Sequence, residues 1–177
     1  MVCVTGLTTS LLFAGQPSQP APTAPAAPSA APAPSVPAAP ANGMTPVQRA
    51  DATPKGKLKN PYSDSDAAVV AAGEQLYLKY ACSGCHGGNG GGGMCPPLTN
   101  DVWVYGGDDD TLFRLVAYGT EALQAKGYSR KGTENVVGPM PPMGQIVQTD
   151  DELWRILAFV RSNYHGAPEC KFGCGSD

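Results

Sequence analysis

Residues 82–86 read Cys-Ser-Gly-Cys-His, and the interpretation of the whole chain starts from this pentapeptide. Two thiols three positions apart can both reach the vinyl-derived carbons at one edge of a porphyrin. A histidine directly after the second thiol then lies beneath the iron. The spacing therefore predicts one haem, covalently attached through Cys82 and Cys85, with His86 as the first ligand of the iron.

Other uses of paired cysteines remain as alternatives. A Cys-x-x-Cys pair can be a redox dithiol, but no β-α-β pattern surrounds this one. Four thiolates could bind zinc, at Cys82, Cys85, Cys170 and Cys174. The glycine-rich run 87–93 does not predict a phosphate site, because no Gly-Lys-Ser/Thr sequence accompanies it and no strand precedes it.

The second iron ligand is expected to be a methionine sulfur. The chain has only one further histidine, His165, at the end of the last predicted helix. Residues 138–144 read Gly-Pro-Met-Pro-Pro-Met-Gly, which places two methionines in a proline-stiffened loop. A methionine is often only a core filler, but as an axial ligand its thioether raises the reduction potential. We favour Met140, with Met143 as the alternative.

Apolar periodicity and breakers predict a helical domain without strands. The predicted helices run from residue 65 or 66 to Tyr80, from the acidic cluster 108–110 to Gly119, and from Asp150 to Asn163. Thr149 and Glu152 stand at the spacing of a capping box before the last helix. We therefore predict an all-α fold, a small helical domain with long loops around one haem.

Composition divides the chain into three parts. Residues 1–15 resemble the end of an export signal, although no Lys or Arg precedes the apolar run. Residues 16–59, Pro/Ala-rich with a basic end, are predicted to be a disordered linker or a spacer from a membrane anchor. Residues 60–177 are predicted to be the haem domain. No stretch approaches the roughly 20 apolar residues of a membrane-spanning helix.

Charge and cysteine content limit the partners and the compartment. From residue 60 onward the chain has 8 Lys and Arg against 14 Asp and Glu. This balance argues against a nucleic-acid partner and fits a protein steered to its partner by its electrostatic field. Six cysteines in a short chain favour an oxidising compartment. We therefore expect export to the periplasm.

The order of these features resembles the class I cytochrome c family over about residues 67–164. The shared parts are a first helix, Cys-x-x-Cys-His, a Pro-x-Leu element, a Met-Pro loop and a last helix. In that family the first and last helices cross at a glycine. The resemblance therefore implies that Gly73 and Tyr77 meet Ile156 and Phe159.

The Pro-x-Leu element of the family reads Cys-Pro-Pro-Leu at residues 95–98. The resemblance implies that the carbonyl oxygen of Pro96 accepts a hydrogen bond from Nδ1 of His86 and orients the imidazole. Cys95 stands where the family has glycine. We expect it to form a disulfide with Cys170 or Cys174, closing a loop of roughly 75–80 residues. Cys3 is expected to leave with the signal.

Within the family, the segments CSGCHGG, PPLTNDVWVYGGDDDTLF and GPMPPMG are similar to cytochromes of the cL type. Those cytochromes accept electrons from quinoprotein (PQQ) methanol or alcohol dehydrogenases. The resemblance implies that the Trp103 N–H and the Tyr105 O–H lie beside the haem propionates. Some relatives hold calcium there, but at Asp101 and residues 108–110 we expect a solvated acidic turn instead.

The predicted function is electron transfer and not catalysis. We expect a periplasmic carrier of methanol metabolism that takes single electrons from a PQQ-dependent dehydrogenase and passes them to a downstream cytochrome c or oxidase. A general carrier serving several donors and a haem domain of a larger redox enzyme remain alternatives. A haem peroxidase is disfavoured, because a haem with both axial positions filled leaves no room for peroxide.

Overall fold

A computed structural model of the protein describes residues 43–133 and 135–173. These ranges contain helices and no strand, which confirms the predicted all-α fold. The helices are α1 (Pro46–Ala52), α2 (Ala67–Lys79), α3 (Ser83–His86), α4 (Asp109–Ala125) and α5 (Asp150–Ser162), followed by a 3₁₀ turn at Pro168–Cys170. None of the described helices has both the length and the apolar character needed to cross a bilayer. The export signal and most of the linker that the sequence predicts lie outside the described residues.

Polar side chains cap the N-termini of α2 and α5. The Asp66 side chain accepts a hydrogen bond from the backbone N–H of Ala68 at 2.9 Å and starts α2. At α5 the capping box is present: Glu152 N–H donates to Thr149 Oγ1 at 3.2 Å, and Thr149 N–H donates to Glu152 Oε2 at 3.3 Å. Such caps stabilise a helix end by roughly 1 kcal/mol each. Because the capping residues are recognised by type and spacing, both helix starts could be predicted from the sequence.

The close crossing of α2 and α5 forms the centre of the domain. A Cβ atom on Gly73 would lie 2.1 Å from the carbonyl oxygen of Arg155 and 2.9 Å from Cβ of Phe159. The rings of Tyr77 and Phe159 pack with their centroids 5.2 Å apart. The crossing at Gly73 is therefore confirmed. Residues from α2, α4 and α5 complete the core around it, among them Leu76, Phe113, Leu153, Ile156 and Leu157.

Helix α4 contains a break that the sequence analysis took for its end. Gly119 has φ 76° and ψ 172°, which is far from helical, yet the helix resumes and continues to Ala125. The prediction that the helix stops at Gly119 is thus wrong in part. A glycine with positive φ stops helical geometry locally, but the residues after it, Thr-Glu-Ala-Leu-Gln-Ala, are able to form another turn.

Residues 43–59, which the sequence analysis placed in the disordered linker, pack onto the domain. Ala50 and Leu58 are buried. The buried Arg114 of α4 donates hydrogen bonds to the carbonyl oxygens of Ala50 at 2.7 Å and Thr53 at 2.6 Å. The boundary predicted at residue 60 therefore needs correction, since the packed domain includes at least residue 43 onward.

Helix α1 also carries a local signal that the proline-rich composition obscured. Thr45 and Gln48 form a capping box, with Gln48 Oε1 accepting from Thr45 N–H at 2.9 Å, and Pro46 follows the cap. Arg49 then pairs with Asp150 at the start of α5. These contacts connect the beginning of the described chain to its last helix.

Candidate haem-binding cavity

A single apolar cavity of about 430 Å³ collects most of the residues that the sequence singled out. Its wall includes both motif cysteines, His86, Pro96, Trp103, Tyr105 and both methionines of the 138–144 loop. Aliphatic side chains from α4 and α5 supply much of the remaining wall: Leu112, Leu115, Val116, Ile156, Leu157 and Val160. A large apolar group placed there would be shielded from water by the two helices.

The motif residues lie at one wall of this cavity on the short helix α3. Cys82 and Cys85 are free thiols, and burial raises the pKa of the Cys82 thiol to about 11. His86 Nδ1 lies 2.9 Å from the carbonyl oxygen of Pro96. Because that oxygen can only accept, Nδ1 carries the proton and Nε2 keeps its lone pair for a metal.

The loop after the motif is held in shape by hydrogen bonds to its backbone groups. Tyr77 of α2 donates its hydroxyl proton to the carbonyl oxygen of Gly87 at 2.7 Å. Gly92 N–H donates to His86 O at 2.9 Å. Gly87 has φ 79°, and a Cβ on it would lie 2.6 Å from Gly92 O. Glycine is therefore required at residue 87, where the chain turns back to bring Pro96 to the histidine.

The two methionines of the 138–144 loop differ in their surroundings. Met143 packs against the hydrophobic core, and its N–H donates to Val116 O at 2.9 Å. Met140 is also half-buried and lines the cavity, but it does not belong to the residues packed against the core cluster. Both methionines line the cavity, and the difference in packing favours Met143 as a core filler and Met140 as the methionine available to the cavity.

The two aromatic residues expected near the propionates are both buried in the cavity wall. Trp103 Nε1 donates to the carbonyl oxygen of Leu98 at 2.8 Å. The role of this N–H as a propionate donor stays a prediction; within the chain the N–H donates to the Pro-x-Leu element. Tyr105 accepts a hydrogen bond from Gln124 Nε2 at 2.8 Å and keeps its own proton to donate.

Three polar residues of the cavity wall were not predicted from the sequence: Thr120, Gln124 and Arg130. Thr120 and Gln124 are one helical turn apart in the part of α4 that follows Gly119. Because the helix was predicted to end at Gly119, these two residues were not recognised as lying on one helix face. The spacing of four residues was the signal that could have revealed them.

The three carboxylates of the acidic cluster 108–110 all bond to other groups of the protein. Asp108 caps α4, and Asp109 pairs with the buried Arg161. Asp110 is buried and pairs with Arg114 at 3.0 Å. Burial opposes its ionisation, but hydrogen bonds, including that from Arg114, lower its pKa. The expected solvated turn is therefore wrong for residues 108–110, whereas Asp101 is exposed as expected. The described residues contain no cluster of three or more His, Cys, Asp or Glu side chains that could hold a metal ion.

The predicted disulfide of Cys95 is also wrong. Cys95 is a free thiol, whereas Cys170 is disulfide-bonded, and neither Cys82 nor Cys85 is its partner. Cys95 lies in the cavity wall, with its N–H donating to Cys85 O at 3.1 Å. Cys170 lies instead in the 3₁₀ turn after α5. Because Cys170 is bonded in this way, the four-thiolate zinc alternative fails as well.

The donor set and the shape of the cavity fit a haem. Two free thiols, an imidazole with a free Nε2 and a thioether meet in one apolar cavity. A bound haem would be held by Cys82, Cys85, His86 and Met140, and its iron would supply a one-electron couple.

Comparison with known proteins agrees with this chemistry. The family described as cytochrome c oxidase, cbb3-type, subunit III, matches residues 68–160. The subunit FixP of a cbb3-type oxidase from Sinorhizobium medicae is 31% identical over 95 residues, which are 53% of this chain and 30% of that protein. The subunit CcoP from Rubrivivax gelatinosus is 30% identical over 104 residues, which are 58% of this chain and 28% of that protein.

The matched region thus spans less than a third of each of these two relatives. Among solved structures, cytochrome cL from Methylophaga aminisulfidivorans is 30% identical, with a TM-score of 0.45 and 61% of each chain covered. The curated relatives are oxidase subunits, so they do not support the dehydrogenase partner that the sequence resemblance implied. This chain belongs to the family of cbb3-type cytochrome c oxidase subunit III, as a cytochrome c electron-carrier domain.

Proposed function

We propose that this protein is a periplasmic one-electron carrier that holds one covalent haem c and passes electrons to a terminal oxidase. The observation that carries the proposal is the apolar cavity in which two free thiols, His86 and Met140 meet. Thioether bonds to Cys82 and Cys85 would fix the haem, and His86 and Met140 would bind the two axial positions of its iron.

The residues around the cavity are suited to electron transfer because they hold their geometry. Pro96 O orients the imidazole of His86, and the backbone bonds around Gly87 fix the turn that brings Pro96 there. The aliphatic wall excludes water. With His86 and Met140 both bound to its iron, a haem would have no open site for a substrate such as peroxide, which favours a carrier over an enzyme.

The choice between the two methionines is tested by parallel substitutions. Met140→Ala is expected to abolish the long-wavelength Met–iron absorption band of the oxidised protein and to let the reduced protein bind carbon monoxide. Met143→Ala is expected to keep the band and to lower the free energy of unfolding by about 2–3 kcal/mol, since it removes a core contact. Visible spectra and denaturant unfolding measure both effects. The reverse pattern would reassign the ligand to Met143.

Membership of the oxidase-subunit family supports an oxidase as the electron acceptor. For the donor, the sequence resemblance keeps a quinoprotein methanol or alcohol dehydrogenase as the second hypothesis. A quinol cofactor delivers two electrons and one haem accepts one, so the carrier would have to visit twice. Such a contact must be weak and fast-exchanging. The excess of acidic residues would steer the encounter, so the rate should fall as salt screens it.

Stopped-flow kinetics test the proposed direction of transfer. The reduced protein is mixed with a purified cbb3-type oxidase core that lacks its own haem c subunits, and oxidation is followed at low and high salt. In parallel, the oxidised protein is mixed with methanol or ethanol dehydrogenase and its substrate. The proposal predicts oxidation by the oxidase faster than for an unrelated cytochrome c of similar charge. Equal rates for the two cytochromes would contradict an oxidase-specific carrier, and fast reduction by the dehydrogenase would establish the second hypothesis.

A further inference from the structure

The break in α4 exposes backbone groups that a continuous helix would satisfy internally. In a continuous helix the N–H of Thr120 would donate to Val116 O. At Gly119 the backbone leaves helical geometry, so this bond is not made. Unpaired backbone groups beside an apolar cavity are costly, so they need partners from elsewhere in the chain.

The methionine loop supplies these partners. Met143 N–H donates to Val116 O at 2.9 Å, and Gly144 N–H donates to Ala117 O at 3.1 Å. Thr120 N–H, freed by the break, donates to Met140 O at 2.9 Å. The break at Gly119 is therefore the feature that docks the loop onto α4.

One further bond to this loop comes from a side chain. Met140 N–H donates to Thr120 Oγ1 at 3.0 Å. Thr120 thus binds the backbone of Met140 at both its N–H and its C=O, and both residues line the cavity. In Met143, by contrast, the two backbone groups bond to different residues: its N–H donates to Val116 O, and its C=O accepts from the N–H groups of Ile146 and Val147 at 2.9 Å.

We propose that Thr120 is a positioning residue for the axial methionine, which it fixes through the paired hydrogen bonds to Met140. This inference rests on the proposed role of Met140 as a ligand. The hydroxyl holds the Met140 N–H, and so sets where the thioether enters the cavity. Removing the hydroxyl leaves that N–H unpaired and lets the loop move away, which weakens the hold of the sulfur on the iron.

Imidazole competition on the oxidised haem-loaded protein measures this hold, because imidazole must displace the methionine to bind. Thr120→Val removes the hydroxyl and keeps the branched shape. Since one hydrogen bond is lost, its apparent imidazole affinity is expected to rise about tenfold. Thr120→Ala is expected to show the same rise and provides a second reading if the valine variant folds poorly. Thr120→Ser keeps the hydroxyl and is expected to retain wild-type affinity.

Thr111→Val is the matched control, because it removes a threonine hydroxyl from the first turn of the same helix. Its imidazole affinity is expected to equal that of the wild type. Wild-type affinity in a folded Thr120→Val or Thr120→Ala variant would overturn the positioning role. A different result would overturn the assignment of Met140 as the ligand: a Met140→Ala variant that keeps the Met–iron band.

Discussion

Replacing Gly73 with alanine is expected to lower the free energy of unfolding by about 3 kcal/mol, the upper end of the range for overpacked sites. The added Cβ would lie 2.1 Å from the carbonyl oxygen of Arg155, a backbone atom that cannot rotate away. Helices α2 and α5 must therefore separate. Their separation would also loosen the packing of Tyr77 on Phe159.

Denaturant unfolding of the haem-loaded protein, followed by far-ultraviolet circular dichroism, measures this loss. Gly88→Ala serves as the control, because Gly88 is exposed and an added Cβ meets no atom within 4 Å. Its free energy of unfolding should stay within about 0.5 kcal/mol of the wild type. A Gly73→Ala variant as stable as Gly88→Ala would show that the helices do not cross at this glycine.

The second large effect is expected for Gly119→Ala. Gly119 has φ 76°, and its added Cβ would lie 2.7 Å from Pro142 N and 2.8 Å from Met140 O. The substitution combines backbone strain of about 1–3 kcal/mol with a clash against the methionine loop. We expect loss of the Met–iron band and a decrease of about 3 kcal/mol in the free energy of unfolding.

Gly127→Ala separates strain from clash. Gly127 has φ 79°, but an added Cβ would meet only the Lys55 Nζ, at 3.5 Å. This variant should therefore lose about 1–2 kcal/mol of stability and keep the band. Visible spectra and unfolding curves of Gly119→Ala and Gly127→Ala distinguish the effect of backbone strain from that of the clash with the loop. An intact band in Gly119→Ala would mean that the contact between α4 and the loop does not position the methionine.

The parts of the fold that follow from local signals were predictable. The starts of α2 and α5 depend on short-range caps, at Asp66 and at the Thr149–Glu152 pair, which the sequence shows directly. The glycine crossing and the Pro96–His86 hydrogen bond could be predicted because the order of motifs resembles that of a known family.

Several of the errors share a physical cause, since they concern groups whose partners are chosen by packing within the folded domain. The carboxylates 108–110 could have been solvated, but Asp110 pairs with Arg114 one turn further along α4, and Asp109 pairs with the distant Arg161. Residues 43–59 have a composition typical of linkers, yet the buried Arg114 binds their backbone.

Covalent attachment of one haem is the central claim, and the most direct test is an acid-acetone extraction of the purified exported protein combined with its intact mass. We predict that the colour stays with the precipitated protein and that the mass exceeds that of the polypeptide by one haem. A Cys82→Ser/Cys85→Ser variant made in the same way should release its colour. Transfer of the wild-type colour to the organic layer, with a mass equal to the polypeptide alone, would contradict the account.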